Sequence, residues 1–416
     1  MKNFFKILGP GLLYAGAAIG VSHLVQSTRA GAMYNFDLIW ILIIANILKY
    51  PFFEFGTRYA IATGTTLVDG YKKVGSWAVA LFTIVTIGSM FIIQAAVTVV
   101  TVGLISYVLN LTINLTTLSA ILLIVSVIVL VVGKYSLLDK IMKFIIVLLA
   151  ISTIVAVFAA LGIHKEVTPE TVKHFSWSVG ADIFFLIAFI GWMPAPIDVS
   201  VWSSVWNIAK TKELGYTPKL KDALKEFRVG YWGTAILAMG FLAMGALVMY
   251  GTGEEFSPNG KTFAEQLITM YTSSIGSWAF WIVSIAATTT MISTTITVID
   301  AYPRVLTPIF KNLFPSKWKN LKNKQSLTWI WYVVIIIGSM LVIADASSSM
   351  GVLIDFATTL SFLTAPILAW LNYRVVTDKH MPADAKPGMF LRVLSWTGIV
   401  FFVAFSFIFL YWRYMV

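Results

Sequence analysis

The chain lacks cysteine altogether and has few charged residues. Of its 416 residues none is Cys and only 12% are charged, about half the share found in soluble domains. Disulfides, thiolate metal sites and cysteine nucleophiles are therefore excluded. No acidic residue occurs between Gly75 and Leu109. Nucleophile–base, phosphate-loop and metal-hydrolase motifs are missing as well, so we expect neither an enzyme nor a bound cofactor.

What the chain has instead is a succession of apolar runs along its whole length. Hydrophobic residues make up 58% of it, and its mean hydropathy is +0.84. A helix needs about 20 apolar residues to cross a bilayer. The runs that meet this requirement predict an all-α polytopic protein in the lipid bilayer, with eleven spans at approximately 5–33, 37–62, 75–108, 113–133, 140–162, 180–208, 229–251, 273–300, 327–345, 350–373 and 389–412.

The net charge of +11 is distributed unevenly among the loops between these spans. Lysine and arginine concentrate in alternate loops, most densely in 210–228 and 302–324, whereas the loop 252–272 carries three glutamates. By the positive-inside rule the N-terminus is cytoplasmic, and an odd number of spans puts the C-terminus outside. We expect a location in the plasma (cytoplasmic) membrane and no nucleic-acid partner, because orientation accounts for the charge. The pattern predicts no particular oligomeric state.

Two of the predicted spans contain residues that interrupt a helix near its middle. Span one reads "GAAIGVSH" at 16–23, where each glycine costs about 1 kcal/mol relative to alanine. Span six reads "IGWMPAPIDVS" at 190–200, where Pro194 and Pro196 remove backbone donors. Each break taken alone is also compatible with a simple kink. Breaks at corresponding positions of two repeats are the best sequence indication of a transporter's central site, and repeats of five spans must be inverted.

Several stretches of the chain resemble the Nramp family of divalent-metal transporters. The similarity is strongest in "GPGLLYAGAAIGVSHLVQSTRAGAMYNFDLIW" and "ANILKYPFFEFGTRYAIATGTTL", and it continues in "MP" at 193–194 and "VIDAYPRVL" at 298–306. The resemblance implies a LeuT-type fold, with two inverted five-helix repeats and additional spans. We expect a single transmembrane domain over 1–416, with a first repeat at 1–165, a second at 175–375 and one extra span at 389–412.

The chain departs from this family at the positions that bind metal. The family has Asp-Pro-Gly-Asn in span one, where this chain has Gly-Val-Ser-His at 20–23. The family has Met-Pro-His-Asn in span six, where this chain has Met-Pro-Ala-Pro at 193–196. The family's span-three acids, associated with proton movement, have no counterpart here. The resemblance therefore implies transport of a divalent cation at an atypical site and without the usual proton coupling.

The candidate substrate site consists of small, polar and thioether residues at the two breaks. A transition metal accepts imidazole, thioether and carboxylate ligands, so His23, Met193 and Asp198 are the candidate metal ligands. His23 could equally be a hydrogen-bonded structural histidine, and Met193 a packing residue. Small residues could instead hold an organic solute whose carboxylate meets a half-helix N-terminus. The predicted substrate-binding residues are Gly20, Ser22, His23, Gln26, Ile190, Met193, Ala195 and Asp198.

Span eight is rich in hydroxyl groups. The stretch "TTTMISTTITVID" at 288–300 contains six threonines and one serine. Thr290, Ser293 and Thr294 fall on one helix face by their i, i+3, i+4 spacing. In LeuT-type symporters hydroxyls here bind sodium together with span-one carbonyls, so these three are candidate ligands of a coupling sodium ion. The alternative is that the hydroxyls bond back to their own helix.

Charged residues inside predicted spans need partners, because a charge at mid-bilayer costs about 2.5–3.5 kcal/mol. Glu54 and Arg58 lie four residues apart, which predicts a structural ion pair or gate on one helix face. Lys49 could instead reach Glu54 from the other side. Asp182 and Asp300 lie near predicted span ends, and we expect them to be solvated.

Three functions remain open at the level of sequence. The first is secondary transport of a divalent metal cation by alternating access. The second is transport of an amino acid or other small organic solute on the same scaffold, with sodium as a coupling ion. The third is a membrane sensor that keeps the fold without transporting. Paired breaks favour alternating access over an open channel.

Overall fold

The computed structural model describes residues 10–132, 135–162, 165, 167–321, 323–346 and 349–415. Seven helices in this part of the chain are long and apolar enough to cross a membrane, and three shorter apolar helices accompany them. The all-α polytopic architecture is therefore confirmed, while the number of eleven spans remains a prediction. Residues 5–9, where the first predicted span begins, lie outside the described residues.

The helices are numbered α1 to α16 in chain order. They are α1 (Pro10–Ala18), α2 (Thr28–Tyr34), α3 (Ile39–Thr63), α4 (Leu67–Val74), α5 (Ser76–Val108), α6 (Leu115–Val131), α7 (Tyr135–Ala160), α8 (Gly180–Trp192), α9 (Val199–Leu214), α10 (Leu220–Met244), α11 (Gly260–Ile275), α12 (Phe280–Leu313), α13 (Pro315–Asn320), α14 (Lys324–Ala346), α15 (Met350–Thr377) and α16 (Met389–Tyr414). Two π-helical segments, Ser22–Ser27 and Gly245–Met249, precede α2 and follow α10.

Both predicted interruptions are present. The first apolar run is divided into α1, a bend at residues 19–20 and the π-helix Ser22–Ser27. The sixth is divided into α8 and α9, because Pro194 and Pro196 cannot donate the backbone hydrogen bonds that would continue α8. These segments, residues 19–21 and 193–198, are called the first and second break.

Helix pairs that are distant in sequence enclose the breaks. α3 packs against α9, α5 against α12, and α8 against α15. The α8–α15 contact is so close that a Cβ on Gly191 would overlap the Thr358 carbonyl. At the first break, a Cβ on Gly20 would lie 2.9 Å from the Thr294 Cγ2 atom of α12. Glycine at these two positions therefore lets the broken runs approach their neighbours.

Two open vestibules lie at opposite ends of α3, a 25-residue helix roughly 37 Å long. The first vestibule, about 590 Å³, is lined by residues of α2, which comes just before α3, together with Glu170, Lys173 and Glu254. The second vestibule, about 690 Å³, is lined by residues 64–66, which come just after α3, and by basic residues such as Lys212 and Lys311. The fold thus presents a water-accessible hollow on each side of its buried centre.

The expectation that Asp182 and Asp300 are solvated is wrong. Both are buried. The Lys173 ammonium lies 2.7 Å from the Asp182 carboxylate, and the Arg304 Nε atom donates to Asp300 at 2.7 Å. A position near the end of a span therefore did not bring solvent here, because a basic side chain covers each carboxylate.

Candidate functional site

A small void, the central void, lies between the two breaks. Its volume is about 20 Å³. Because about 10–15 Å³ is enough for one water molecule, the central void has room for one water-sized guest but not for an amino acid in this conformation. It is lined by residues of both breaks, of the π-helix Ser22–Ser27 and of α1, α5, α8, α9 and α12, among them Ser22, Ala195, Trp192, Trp202 and Thr294.

Ser22 joins the first break to the second. Its hydroxyl lies 2.8 Å from the Ala18 carbonyl, 3.2 Å from the Pro194 carbonyl and 2.8 Å from His23 Nδ1. A serine hydroxyl has one hydrogen to donate, so it serves only one of these acceptors at a time. The Ser22 oxygen therefore keeps lone pairs at the wall of the central void.

His23 is buried beside the void rather than among the residues that line it. Its Nε2 atom lies 3.0 Å from the Thr234 carbonyl of α10. A carbonyl can only accept, so Nε2 carries a hydrogen, and in the neutral ring Nδ1 is the acceptor for Ser22. Both ring nitrogens thus have protein partners, as a structural histidine would.

The remaining predicted metal ligands are also buried. Met193 is fully buried in the second break, and Asp198 is 6% exposed at the start of α9. The Asp198 Oδ1 atom has no hydrogen-bond partner among the described residues. Neither lines the central void, and within the described part of the chain no three His, Cys, Asp or Glu side chains are grouped as a metal site would require. Metal binding by His23, Met193 and Asp198 stays a prediction.

Thr294 is the candidate sodium ligand that reaches the first break. Its hydroxyl lies 2.9 Å from the Ile19 carbonyl and 3.1 Å from the Gly16 carbonyl. It also lies 3.1 Å from the Thr290 carbonyl of its own helix, and Thr290 donates back to the Ala286 carbonyl at 2.7 Å, as the alternative anticipated for both. Ser293 is buried next to Thr294 on the same helix. One hydroxyl and two carbonyls therefore converge where the sequence predicted a cation.

Carbonyls of the second break are bound by Lys49. The fully buried ammonium donates to the carbonyls of Ile190 at 2.7 Å, Gly191 at 2.8 Å and Ala195 at 3.2 Å. The suggestion that Lys49 reaches Glu54 is wrong, because its three donors are used by two carbonyls at the end of α8 and one in the second break. Ile190 and Ala195, predicted to bind substrate, therefore hold a side chain of the protein itself.

Glu54 and Arg58 form the predicted pair, and the structure adds a second arginine. Arg58 contacts one carboxylate oxygen of the buried Glu54 through Nε and Nη2, while Arg228 of α10 reaches the other at 3.2 Å. The Tyr50 hydroxyl donates to the same carboxylate. Arg228 was missed from the sequence because nothing local relates α10 to α3.

A further ion pair involves the first broken run beyond the first break. Arg29 of α2 donates to both carboxylate oxygens of Asp355 on α15, at 2.7 and 3.2 Å. Gln26 joins this pair, since its amide donates to Asp355 at 3.1 Å and accepts from Arg29 at 2.9 Å. Gln26 thus lies in a bridge from the first broken run to α15, and Arg29 also lines the first vestibule.

Comparisons with known proteins agree with this architecture. A family model described as "Natural resistance-associated macrophage protein-like" matches residues 11–412. An uncharacterized protein of Pasteurella multocida, PM0681, is 36% identical over 411 residues, covering 98% of this chain and 92% of the relative.

Solved structures show the same fold at low sequence identity. A mutant of the Eremococcus coleocola manganese transporter matches with a TM-score of 0.70 at 14% identity, covering 98% of this chain and 86% of the other. The nucleobase-cation-symport-1 transporter Mhp1 matches with a TM-score of 0.61 at 14% identity, covering 97% and 90%. The LeuT-type fold and the integral membrane character are confirmed. The chain belongs to the Nramp family, whose members are secondary transporters and not enzymes.

Proposed function

We propose that this protein is a secondary transporter that moves one metal cation by alternating access through the central void. The observation that carries the proposal is a narrow void of about 20 Å³ between the two breaks, far smaller than the vestibules of about 590 and 690 Å³ at the two ends of α3. A guest of this size is a cation or a water molecule. The similarity to a manganese transporter supports the choice of a metal.

The ligands available at the void are neutral oxygens. Ser22 and Thr294 contribute hydroxyl oxygens, and the Pro194 and Ile19 carbonyls adjoin them. Oxygen ligands suit hard cations such as Mg²⁺ and Mn²⁺, which keep part of their water shell. We therefore expect weak binding and little preference for thiophilic metals. This atypical site relies on Ser22 and Thr294 more than on His23, Met193 or Asp198.

We propose that transport is not coupled to protons in the way that is usual for the family. Helix α5 has no acid between Gly75 and Leu109, and its polar residues include Gln94 and Thr98, which bond to each other at 3.2 Å. Neither of these side chains releases a proton at physiological pH. Metal uptake into proteoliposomes should therefore proceed at the same rate with and without an imposed pH gradient.

A sodium-coupled carrier of a small organic solute is the second candidate. The specific observation in its favour is the meeting of the Thr294 hydroxyl with two carbonyls of the first run. Trp192 and Trp202 would supply apolar walls for such a solute. This function needs a conformation in which the central void is several times larger.

We also propose how the protein is oriented in the membrane and how many times it crosses it. Basic residues lining the second vestibule, including Lys212, Arg304 and Lys311, support a cytoplasmic position for that side. We propose eleven spans in the cytoplasmic membrane with the N-terminus inside and the C-terminus outside. The inverted repeats are proposed to cover 1–165 and 175–375, with the extra span at 389–412.

Transport assays in proteoliposomes test the proposal. Uptake of Mn²⁺ and Mg²⁺ is compared with uptake of an amino-acid panel, each with and without a sodium gradient, using empty liposomes as the control. Metal uptake without sodium supports the first function. Amino-acid uptake that requires sodium, with no metal uptake, replaces it by the second. No uptake of any solute favours the membrane sensor.

A further inference from the structure

The environment of Lys49 resembles a cation site more than an ordinary ion pair. Lys49 is fully buried on α3, and its ammonium donates to three backbone carbonyls at 2.7, 2.8 and 3.2 Å. Two of these carbonyls belong to the last turn of α8 and the third to the second break. An ammonium has three hydrogens to donate, so the three carbonyls satisfy it completely.

The position of these carbonyls explains why they attract positive charge. The last carbonyls of a helix have no partner in the helix and together carry about half a negative charge. Half-helix C-terminal ends and unwound carbonyls inside membrane transporters are places where monovalent cations bind. At the end of α8 the chain offers this arrangement, but a lysine from another helix is already there.

The Asp198 carboxylate adds to the negative potential at this place. Asp198 follows the second break, is 6% exposed and interacts electrostatically with Lys49. Its Oδ1 atom has no hydrogen-bond partner among the described residues. Removal of the Lys49 ammonium would leave the three carbonyls without its hydrogen bonds and the Asp198 carboxylate without its positive charge.

We propose that Lys49 is a tethered cation that fills a monovalent-cation site at the C-terminal end of α8. The second break is therefore held together without an ion from solution, and the site would take Na⁺ if the side chain were removed. This site adjoins the central void at Ala195, which lines the void and whose carbonyl accepts from Lys49, but Lys49 itself is not among the residues that line the void.

Replacement of Lys49 by alanine tests the proposal on the purified full-length protein. Lys49→Ala removes the charge and leaves room at the carbonyls, whereas the matched variant Lys49→Met removes the charge but fills the space. Thermal unfolding is measured in sodium chloride and in choline chloride. We expect sodium to raise the Tm of Lys49→Ala by at least about 2 °C more than that of the wild type or Lys49→Met.

Direct binding of radioactive sodium gives a second measurement. We expect Lys49→Ala to bind one more sodium ion per chain than the wild type, so any sodium held by Thr294 cancels in the difference. Equal sodium binding in the two proteins contradicts the proposal, as does an equal gain in Lys49→Met. A variant Lys49→Ala that cannot be recovered in either salt also contradicts it, because sodium should replace the missing charge. None of these results depends on which solute is transported.

Discussion

At the scale of single residues, the groups expected to meet a guest are already engaged within the protein. The Ile19 carbonyl accepts from Thr294, the Ile190 carbonyl accepts from Lys49, and both ring nitrogens of His23 have partners. The positions of the interrupted helices could be predicted from the sequence, because glycine and proline disturb helical hydrogen bonding at their own positions. The sequence could not show which distant side chain fills the exposed acceptors, since those partners come from other helices.

The Thr294 hydroxyl should contribute to cation binding, whereas that of Thr290 should not. Thr294→Val keeps the shape of the side chain but removes the oxygen that faces the Gly16 and Ile19 carbonyls. Because a hydrogen bond or ligand contact to a charged group contributes about 1.5–3 kcal/mol, we expect at least a tenfold, roughly 1.4 kcal/mol, loss of cation affinity. Thr290→Val is the matched control, since its hydroxyl bonds only to Ala286. Equal losses in both variants would argue against a site at Thr294.

His23 should behave as a structural residue. His23→Ala leaves the buried Thr234 carbonyl without its imidazole donor and Ser22 without one partner. We expect a loss of about 1–3 kcal/mol in the free energy of unfolding, seen as a lower Tm, with the cation preference of uptake unchanged. Loss of Mn²⁺ binding in a variant with near-normal Tm would show instead that the imidazole is a metal ligand.

At the scale of elements, the Arg29–Asp355 pair connects the first broken run to α15. Both carboxylate oxygens of Asp355 are used, and the pair adjoins the first vestibule. Asp355→Asn should weaken this connection and open the first break toward that vestibule more often. Because the chain has no cysteine, a single Ser22→Cys substitution reports the opening through its rate of reaction with a water-soluble thiol reagent.

The cysteine introduced by Ser22→Cys should react with the thiol reagent severalfold faster in a chain that also carries Asp355→Asn than in one that keeps Asp355. Glu213→Gln is the matched control, since it removes an exposed ion pair with Lys210 that lies far along α9. An unchanged reaction rate in the Asp355→Asn background would mean that the ion pair does not hold the first break closed. The sequence did not reveal this pair, because Arg29 and Asp355 are more than three hundred positions apart.

Asp69 connects the short helix α4 to the end of α12. Burial alone would raise the pKa of Asp69, but hydrogen bonds from Asn312 and Thr66, together with the Lys311 charge, lower it below its usual value. A carboxylate with a lowered pKa stabilises the fold above its unfolded pKa, and that stability is lost as the pH falls through the lowered value. Asp69→Asn should therefore lower the Tm at neutral pH and flatten its dependence on pH below about 4. An unchanged pH profile of Tm would exclude this role.

At the scale of the whole molecule, composition and periodic apolar runs were sufficient to predict an all-α membrane protein. The resemblance in the first two runs was sufficient to predict the family and its fold. Burial of individual charges was harder to predict, as Asp182 and Asp300 show: Lys173 reaches Asp182 from the preceding loop, and Arg304 reaches Asp300 from the next turn of α12. The size of the central void could not be predicted from the sequence, because it depends on how closely whole helices approach each other at Gly20 and Gly191.

Transport by the proposed mechanism depends on a single cation that binds between the two breaks. Calorimetric titration of the purified protein with Mn²⁺ and with Mg²⁺ measures this binding without requiring transport. We predict one metal ion per chain for the wild type and none for Ser22→Ala combined with Thr294→Val, with both proteins equally folded. An absence of metal heat together with saturable heat from an amino acid would contradict the account.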